Sequence, residues 1–392
     1  MFKNRNLLVV SAVAIVNALG YGIIIPILYS YSQKYGLSDF ENGLLFSIFS
    51  ICQFISTPVI GRLSDKFGRK PLLTISITGT AVSFFMAAFA PSAIFLFIAR
   101  ALDGLTAGNL PVATAVISDT TTLKNRARGF GIINASFGFG FVFGPAISAA
   151  TAGFGLQIPF IIAGIITTIA VLMTIFILQE TNKFTGKVQK GKLFDFPKLM
   201  HTLTDKNIGL TMLVTLIYSF AFGMLIYAYQ PFTVKVLNLT PNIISVTFMI
   251  FGIMGLISQL ILLPRLAKLV GDKRSLELAL VATAGTLLAM GLVKNFAVFV
   301  GIVIALGLVN SLIMPFITTI LSKETDEASQ GSIMGLNSAY VSIGTIFGPI
   351  VGGALATLST RLPFAAGSLF VALCFLLSLG VLKRGVPKEK AF

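Results

Sequence analysis

The feature that most constrains the fold is the recurrence of apolar stretches of about 20 residues, the length that an α-helix needs to cross a bilayer. Polar residues gather in the short segments between these stretches. Only 11% of the 392 residues are charged, whereas a soluble domain carries about 25%. The sequence therefore predicts an all-α integral membrane protein with twelve transmembrane helices. The predicted spans, numbered here as helices 1 to 12, are 7–29, 42–61, 72–90, 93–118, 129–152, 158–178, 208–230, 243–263, 276–293, 297–321, 332–356 and 363–382.

The basic residues alternate between the two sides of these helices. One set of loops, together with both chain ends, carries most of them: Lys3, Arg5, Arg62, Lys66, Arg69, Lys70, Lys124, Arg126, Arg128, Lys183, Lys187, Lys190, Lys192, Lys198, Lys206, Arg265, Lys268, Lys273, Arg274, Lys323, Lys383, Arg384, Lys388 and Lys390. The opposite loops carry only Lys34, Lys235, Lys294 and Arg361. The positive-inside rule then predicts a multi-pass protein of the cell membrane with both termini in the cytoplasm. The net charge of +15 is explained by topology, so no nucleic-acid partner is expected.

The residues that disulfides, metal sites, catalytic dyads and phosphate-binding loops require are scarce or absent in this sequence. Cys52 and Cys374 both fall within apolar runs, which argues against a disulfide framework. His201 is the only histidine, so no metal site or catalytic dyad is expected. No phosphate-binding GxxxxGK[ST] loop is present. We therefore expect neither an enzyme nor a cofactor, and energy for any transport must come from a gradient.

The second half of the chain repeats the first. Gly131, Gly140, Gly144 and Pro145 recur 204 positions later as Gly335, Gly344, Gly348 and Pro349. Pro111 and Pro315 have the same offset, and GRLSDKFGRK at 61–70 matches PRLAKLVGDK at 264–273 with an offset of 203. This predicts two pseudo-symmetric six-helix bundles, 1–178 and 208–392, joined by a cytoplasmic loop at 179–207. Duplicated halves with a site between them are typical of secondary transporters.

Five local motifs resemble one family. GRLSDKFGRKPLL at 61–73 is similar to the helix 2–3 loop of the major facilitator superfamily, and ARALDG at 99–104 resembles its helix 4 motif. GPAISA at 144–149 resembles the helix 5 motif, and ALGYGIIIPIL at 18–28 the helix 1 motif, of the drug:proton antiporter branch. Together with LQET at 178–181, they place the chain near tetracycline and multidrug exporters. The resemblance implies the major facilitator fold, alternating access and a monomer.

The resemblance also implies roles for individual residues. In the family, the helix 2–3 loop and an acid at the end of helix 4 hold the cytoplasmic faces of the two halves together. Here this cytoplasmic latch would comprise Gly61, Asp65, Gly68, Arg69, Lys70 and Asp119. The glycines and prolines of the repeat would act as hinge motifs in helices 5 and 11, although Ser148 and Ala149 replace two glycines of the usual helix 5 pattern.

The acidic residues within the predicted spans differ from those of the tetracycline exporters. Those proteins carry aspartates in helices 1, 3 and 9, where local alignment places Asn17, Ser83 and Thr283. None of the three side chains exchanges a proton at accessible pH, so tetracycline itself is not implied as the substrate.

Helix 4 supplies a different candidate for proton coupling. Arg100 and Asp103 stand three residues apart, and therefore on one face, within an apolar run. A charge at the centre of a spanning helix costs about 2.5–3.5 kcal/mol and marks a candidate functional site. The repeat places Ile304 and Gly307 at the equivalent positions, so the pair is not a shared architectural device. We expect Asp103 to bind a proton in one facing state and to release it in the other; the alternative is a pair that only pins helix 4 to a neighbour.

Polar and aromatic residues of helices 1, 4, 7 and 10 are the candidates for the substrate cavity in the resembled fold. They are Asn17, Tyr21, Asn109, Tyr218, Phe222, Tyr229, Asn310 and Ser311. With 35 phenylalanines and 11 methionines in the chain, an apolar wall is expected, which suits lipophilic compounds that are cationic or planar.

The preferred function is therefore proton-coupled export of lipophilic drugs or related small molecules. Two alternatives stay open. One is a metabolite or siderophore carrier with other coupling or none, and the other is a membrane receptor on a transporter scaffold that binds its ligand without flux.

Overall fold

The computed structural model describes residues 5–121, 123–182, 196–326 and 329–381; within these ranges the side chains of 123–130, 132–134, 137 and 196 are not described. The described residues form α-helices joined by short connections. The helices of the first half are α1 (Arg5–Ile24), α2 (Leu28–Ser32), α3 (Asp39–Phe67), α4 (Arg69–Ala88), α5 (Ala93–Thr106), α6 (Asn109–Thr120), α7 (Leu123–Thr151) and α8 (Ile158–Phe176). They are followed by α9 (Phe196–Leu203), α10 (Gly209–Lys235), α11 (Pro241–Ile257), α12 (Leu263–Leu269), α13 (Asp272–Leu292), α14 (Phe296–Asn310), α15 (Ile313–Lys323), α16 (Gln330–Leu358) and α17 (Leu362–Ser378).

The all-α membrane fold is confirmed. The described part of the chain contains ten helical segments that are long and apolar enough to cross a membrane. Two shorter apolar helices, Gly138–Phe154 and Leu362–Ser378, lie at the remaining predicted spans.

Local signals set the helix ends. The predicted helix 2 extends further in both directions, as α3, because a capping box starts it and a glycine ends it. The Ser38 hydroxyl accepts from the backbone of Glu41, and the Glu41 carboxylate accepts from the backbone of Ser38. Gly68 ends the helix with φ 105°, a conformation that favours glycine.

Helices 1, 4 and 10 differ from the prediction, because each is interrupted rather than continuous. Within the predicted span 7–29, α1 ends at Ile24 and α2 begins at Leu28. Helix 4 is divided into α5 and α6 at residues 107–108, and helix 10 into α14 and α15 at residues 311–312. The ring of a proline clashes with the carbonyl four residues earlier. For Pro111 and Pro315 those carbonyls belong to Ala107 and Ser311, the first residue of each break.

Two further elements are absent from the prediction. Predicted helix 8 contains a π-helical turn, Ser258–Leu262, between α11 and α12. The predicted central loop contains α9, which packs through Leu199 against Met212 and Tyr340. The Tyr340 hydroxyl donates a hydrogen bond to the carbonyl of Leu199.

The helices form two compact units. Unit 1 comprises Met1–Leu193 with Leu239–Met249, and unit 2 comprises Phe194–Asn238 with Ile250–Phe392. In unit 1, α1, α4, α6 and α8 enclose a core of buried aliphatic side chains that includes Val9, Ile77 and Val116. In unit 2, α10 packs along α16 and α17, and the rings of Phe232 and Phe364 meet edge to face.

Candidate functional site

Arg100 and Asp103 form a buried ion pair on α5. Arg100 Nη1 lies 2.6 Å from Asp103 Oδ2, and the two residues are 7% and 6% exposed. The spacing of three residues places both side chains on one helix face, as the sequence predicts. A carboxylate and a guanidinium at this distance make a charge-assisted hydrogen bond, which compensates part of the cost of burying both charges.

Neighbouring helices complete the surroundings of the pair. The ring of Phe49 on α3 covers one face of the guanidinium, with 4.5 Å between Arg100 Cζ and the ring centroid. The Ser83 side chain on α4 lies beside Asp103, and its hydroxyl donates to the Thr80 carbonyl at 2.7 Å. Among the residues that the structure describes, Nε of Arg100 has no hydrogen-bond partner. The sequence pointed to Ser83 only as a missing acid, and nothing in it indicated Phe49.

A glycine allows α5 to approach α3 this closely. A Cβ on Gly104 would stand 2.3 Å from the carbonyl oxygen of Phe49 and 2.7 Å from Cβ of Cys52. Ser56 donates to the Gly104 carbonyl at 3.0 Å. Any larger residue at 104 would push α5 away and carry the ion pair with it.

Two predicted cavity residues of unit 1 bind each other. Asn17 on α1 and Asn109 on α6 exchange hydrogen bonds in both directions, at 2.8 and 3.0 Å. Tyr21, one turn beyond Asn17, is 39% exposed. Its ring centroid lies 6.3 Å from that of Phe49 and 6.0 Å from that of Phe141. The aromatic surface around Arg100 therefore includes an open tyrosine.

The predicted cavity residues of unit 2 are less open. The Tyr218 hydroxyl donates to Asn310 Oδ1 at 3.0 Å, and its ring stacks on Phe222 with 6.2 Å between centroids. Ser311, at the break between α14 and α15, is half-buried. Tyr229 is 3% exposed and packs against Phe299, so that it is enclosed within unit 2.

The predicted hinge glycines fall into two groups. Four of them sit where two helices almost touch: Gly140 and Gly144 of α7 face Ala18 and Gly22 of α1, and Gly344 and Gly348 of α16 face Ser219, Phe220 and Gly223 of α10. Gly131 and Gly335 differ, because a Cβ there would meet no described atom within 4 Å. Pro145 and Pro349 lie inside continuous helices. Ser148, which replaces a glycine of the motif, donates to the Ile23 carbonyl at 3.0 Å.

Three charged residues of the predicted latch, Asp65, Arg69 and Asp119, meet within unit 1. Arg69 Nη1 lies 2.6 Å from Asp65 Oδ1, and Arg69 Nε lies 3.2 Å from Asp119 Oδ2. The carbonyl of Gly61 accepts from Ser64, and Ser64 Oγ accepts from Arg69 at 2.7 Å. The guanidinium thus joins the end of α3 to the end of α6.

Glu180 holds the start of α4, a contact that the sequence analysis did not identify. Its carboxylate accepts from the backbone N–H groups of Arg69 at 2.8 Å and Lys70 at 3.1 Å, as well as from those of Thr181 and Asn182. Partial burial raises the pKa of Glu180, but these four hydrogen bonds outweigh it and hold the pKa below its usual value. A Cβ on Gly68 would stand 2.5 Å from this carboxylate, so glycine also leaves room for it.

Unit 2 contains a counterpart of the Arg69–Asp119 pair with the charges exchanged. The start of α13 aligns with the start of α4, and the end of α15 with the end of α6, so Arg69 corresponds to Asp272 and Asp119 to Lys323. Asp272 and Lys323 form a salt bridge. Gly271, with φ 82°, precedes α13 as Gly68 precedes α4.

A model of the Major Facilitator Superfamily matches residues 10–262 and, in a second match, residues 211–392. The chain belongs to this superfamily.

Named members of the superfamily resemble the chain over nearly its full length. Multidrug resistance protein 2 of Bacillus subtilis (strain 168) is 30% identical over 379 residues, which are 95% of this chain and 92% of that protein. Tetracycline resistance protein, class C, of Escherichia coli is 28% identical over 396 residues, 98% of each chain. A solved structure of a bacterial homolog of the human lysosomal transporter Spinster matches with a TM-score of 0.80 and 15% identity. It covers 98% of this chain and 99% of that one, a likeness that shows the fold alone.

Membership in the Major Facilitator Superfamily makes the chain a multi-pass membrane transporter of small molecules rather than an enzyme. In the described part of the chain, no group of three or more His, Cys, Asp or Glu side chains could hold a metal ion. Within the described spanning helices of unit 1, Arg100 and Asp103 form an ion pair in which both side chains are less than 10% exposed.

Proposed function

We propose that this superfamily member is a proton-coupled exporter of lipophilic drugs or related small molecules. It works by alternating access as a monomer in the cell membrane, with both termini in the cytoplasm. Similarity to proteins named for multidrug and tetracycline resistance supports the substrate class. The excess of basic residues in one set of loops supports the orientation.

The observation that carries the proposal is the buried Arg100–Asp103 pair. Both groups are almost fully enclosed, and the Ser83 side chain of α4 lies beside Asp103. Because both groups lie on α5, a shift of α5 against α3 or α4 would change the contacts of the pair with Phe49 and Ser83 and its access to water. Because a buried carboxylate without its partners favours the protonated form, such a shift would couple proton binding to conformation.

The other predicted residues have supporting roles in this proposal. The close glycine contacts of α7 with α1 lie within the bundle 1–178, and those of α16 with α10 within the bundle 208–392; there they let the helices bend and slide during transport. The latch residues Asp65, Arg69 and Asp119 hold the cytoplasmic ends of α3, α4 and α6 together in one state and separate in the other.

Transport by purified protein in proteoliposomes tests the proposal. A pH gradient is imposed, and the accumulation of ethidium and the internal pH are recorded together for the wild type and for Asp103→Asn. We expect the wild type to accumulate ethidium against its gradient while protons move in the opposite direction. The variant should lose both gradient-driven accumulation and proton movement.

Asp39→Asn is the matched control. Asp39 is another buried acid of unit 1, 6% exposed, and accepts a hydrogen bond from Tyr29 at 2.6 Å that asparagine can also accept. This variant should transport like the wild type. Uphill export with proton movement in Asp103→Asn would overturn the coupling role. Flux without proton movement in the wild type would favour the metabolite or siderophore carrier, and binding without flux would favour the receptor.

A further inference from the structure

The short helix α12 presents cations that the protein itself does not pair. Arg265 and Lys268 lie three residues apart on α12, and therefore on one face of that helix. Both residues are exposed, and so is Leu269 beside them, with 77% of its surface accessible. Among all described residues, neither cation has a hydrogen-bond or ion-pair partner. This face of α12 therefore combines two free positive charges with an exposed apolar side chain.

The acids that follow α12 in the chain are occupied by other lysines. Asp272 forms a salt bridge with Lys323, and Glu277 faces Nζ of Lys273 at 4.0 Å. Lys273 also donates to the carbonyl of Val381 at 2.6 Å, beyond the end of α17. The neighbouring helix α13 thus uses its carboxylates elsewhere, and the charge of the α12 face is left uncompensated.

The equivalent loop of unit 1 contains an acid where α12 has a lysine. The offset of 203 aligns Arg265 with Arg62 and Lys268 with Asp65. Asp65 forms an ion pair with Arg69, and Arg62 also has a partner within the protein. The face that unit 1 neutralises internally is therefore a cationic surface in unit 2.

These cations lie at the end of a membrane span. The segment Pro241–Leu269 is long and apolar enough to cross a bilayer, and Arg265 and Lys268 are in its last turns. Leu260, in the π-helical turn that precedes α12, is 76% exposed, as a side chain in contact with acyl chains would be. Lysine and arginine side chains near the end of a span extend to the headgroup region. The two charges are thus at the level of the lipid phosphates.

We propose that the exposed face of α12 binds an anionic phospholipid, with its phosphate headgroup at Arg265 and Lys268 and an acyl chain along Leu260 and Leu269. The guanidinium can bind phosphate oxygens with two hydrogen bonds, and the ammonium adds a point charge. A zwitterionic headgroup gains less, because it brings its own positive charge to the same place. The bound lipid anchors the segment beyond the π-helical turn in its leaflet. This inference goes beyond the proposed export function and does not depend on it.

The absence of tryptophan from the sequence allows a direct assay. Leu269→Trp places a single fluorophore on the α12 face, at a position exposed enough to accept it. The full chain is reconstituted in mixed bilayers of phosphatidylcholine and phosphatidylglycerol, in which one lipid or the other carries bromine and quenches the fluorophore on contact. The ratio of the two quenching efficiencies gives the relative affinity for the anionic lipid. Because each cation near an anionic lipid contributes roughly fivefold, phosphatidylglycerol should be preferred at least about fivefold.

Two variants and a second reporter complete the design. Replacing both cations by glutamine, Arg265→Gln with Lys268→Gln, should reduce the preference below about twofold. The exchange Arg265→Lys with Lys268→Arg keeps both charges and should keep the preference, which separates a loss of charge from a disturbed helix. Phe67→Trp is the matched control reporter, since Phe67 is 57% exposed and aligns with Val270 in the equivalent loop of unit 1. It should report a preference below about twofold.

Equal quenching by the two lipids at residue 269, the same preference at residue 67, or an unchanged preference without the two cations would overturn the lipid surface. A preference abolished by inorganic phosphate would also overturn it and assign the face to soluble anions. Both leaflets of the bilayer have the same composition, and no flux is measured. The outcome therefore depends neither on the orientation of the chain nor on transport, and failure of the proposed function would leave it unchanged.

Discussion

The close approach of α10 and α16 makes the unfolding temperature sensitive to a single methyl group. A Cβ on Gly344 would stand 2.5 Å from the backbone nitrogen of Phe220 and 2.6 Å from Cβ of Ser219, whereas ordinary Cβ contacts begin at 3.4 Å. Gly344→Ala must therefore separate the two helices by about 1 Å, because interiors this densely packed have no free space. Such overpacking costs about 1–3 kcal/mol.

Gly335→Ala is the matched control on the same helix. A Cβ at 335 would meet no described atom within 4 Å. There the substitution should stabilise the helix by about 0.5–1 kcal/mol, because alanine loses less backbone freedom than glycine on folding. At about 2–4 °C per kcal/mol for a unit of this size, Gly344→Ala should lower the unfolding temperature by roughly 2–12 °C and Gly335→Ala should raise it slightly.

The two cysteines provide the assay. Cys374 on α17 is fully buried in unit 2, whereas Cys52 is half-buried. In a Cys52→Ser background, a dye that fluoresces on reaction with thiols reports the exposure of Cys374 as the protein is heated. If Gly344→Ala unfolds at the same temperature as Gly335→Ala, or above it, the packing argument for the hinge glycines is wrong.

Two further predictions concern the cytoplasmic ends of the helices. The dye assay checks both: for unit 1 it follows Cys52 in a Cys374→Ser background, and for unit 2 it follows Cys374 in the Cys52→Ser background. Glu180→Gln should destabilise unit 1 by about 0.5–1 kcal/mol, as the loss of a helix cap does, because the charged acceptor of the Arg69 and Lys70 amides is gone. Since the pKa of Glu180 is lowered by folding, its contribution is complete at neutral pH and is lost as the pH falls through that lowered pKa; a wild type and variant with parallel acid profiles would contradict this. In unit 2, Asp272→Lys and Lys323→Asp should each destabilise, and the double exchange should recover about 0.5–1 kcal/mol, the coupling typical of an exposed pair. A double variant no more stable than its parents would show that the salt bridge contributes nothing.

The spans could be predicted from sequence because burial in lipid demands long apolar runs, whatever the packing. The interruptions could not. Pro111 and Pro315 coincide with breaks, but Pro58, Pro145, Pro231 and Pro349 lie inside continuous helices. Whether a proline ends a helix depends on the groups packed around it, and a hydropathy profile carries no information about those groups. The helix α9 has only eight residues, which is too short for a search based on spanning length.

The contacts of the candidate site likewise fall into those that the sequence could predict and those that it could not. The Arg100–Asp103 contact depends on spacing within one helix, which the sequence contains. The contacts of Phe49, Ser83 and Glu180 depend on the register between helices, which a single sequence does not contain. The Asp272–Lys323 salt bridge could not be predicted from the repeat for another reason. The repeat aligns these positions with Arg69 and Asp119, but the residue types differ because the charges are exchanged.

This exchange of charges has a consequence for the ancestry of the repeat. Each salt bridge, Arg69–Asp119 and Asp272–Lys323, joins two helix ends about fifty residues apart in the sequence. Each residue has a partner of opposite charge only within its own half of the repeat. A recombination event that replaced α4 alone with α13 would set Asp272 opposite Asp119, two carboxylates in place of a salt bridge. Transfer of both segments together would keep opposite charges opposed. Gene conversion between the halves is thus penalised unless it carries the whole stretch, which lets the two copies diverge in the residues that lie between.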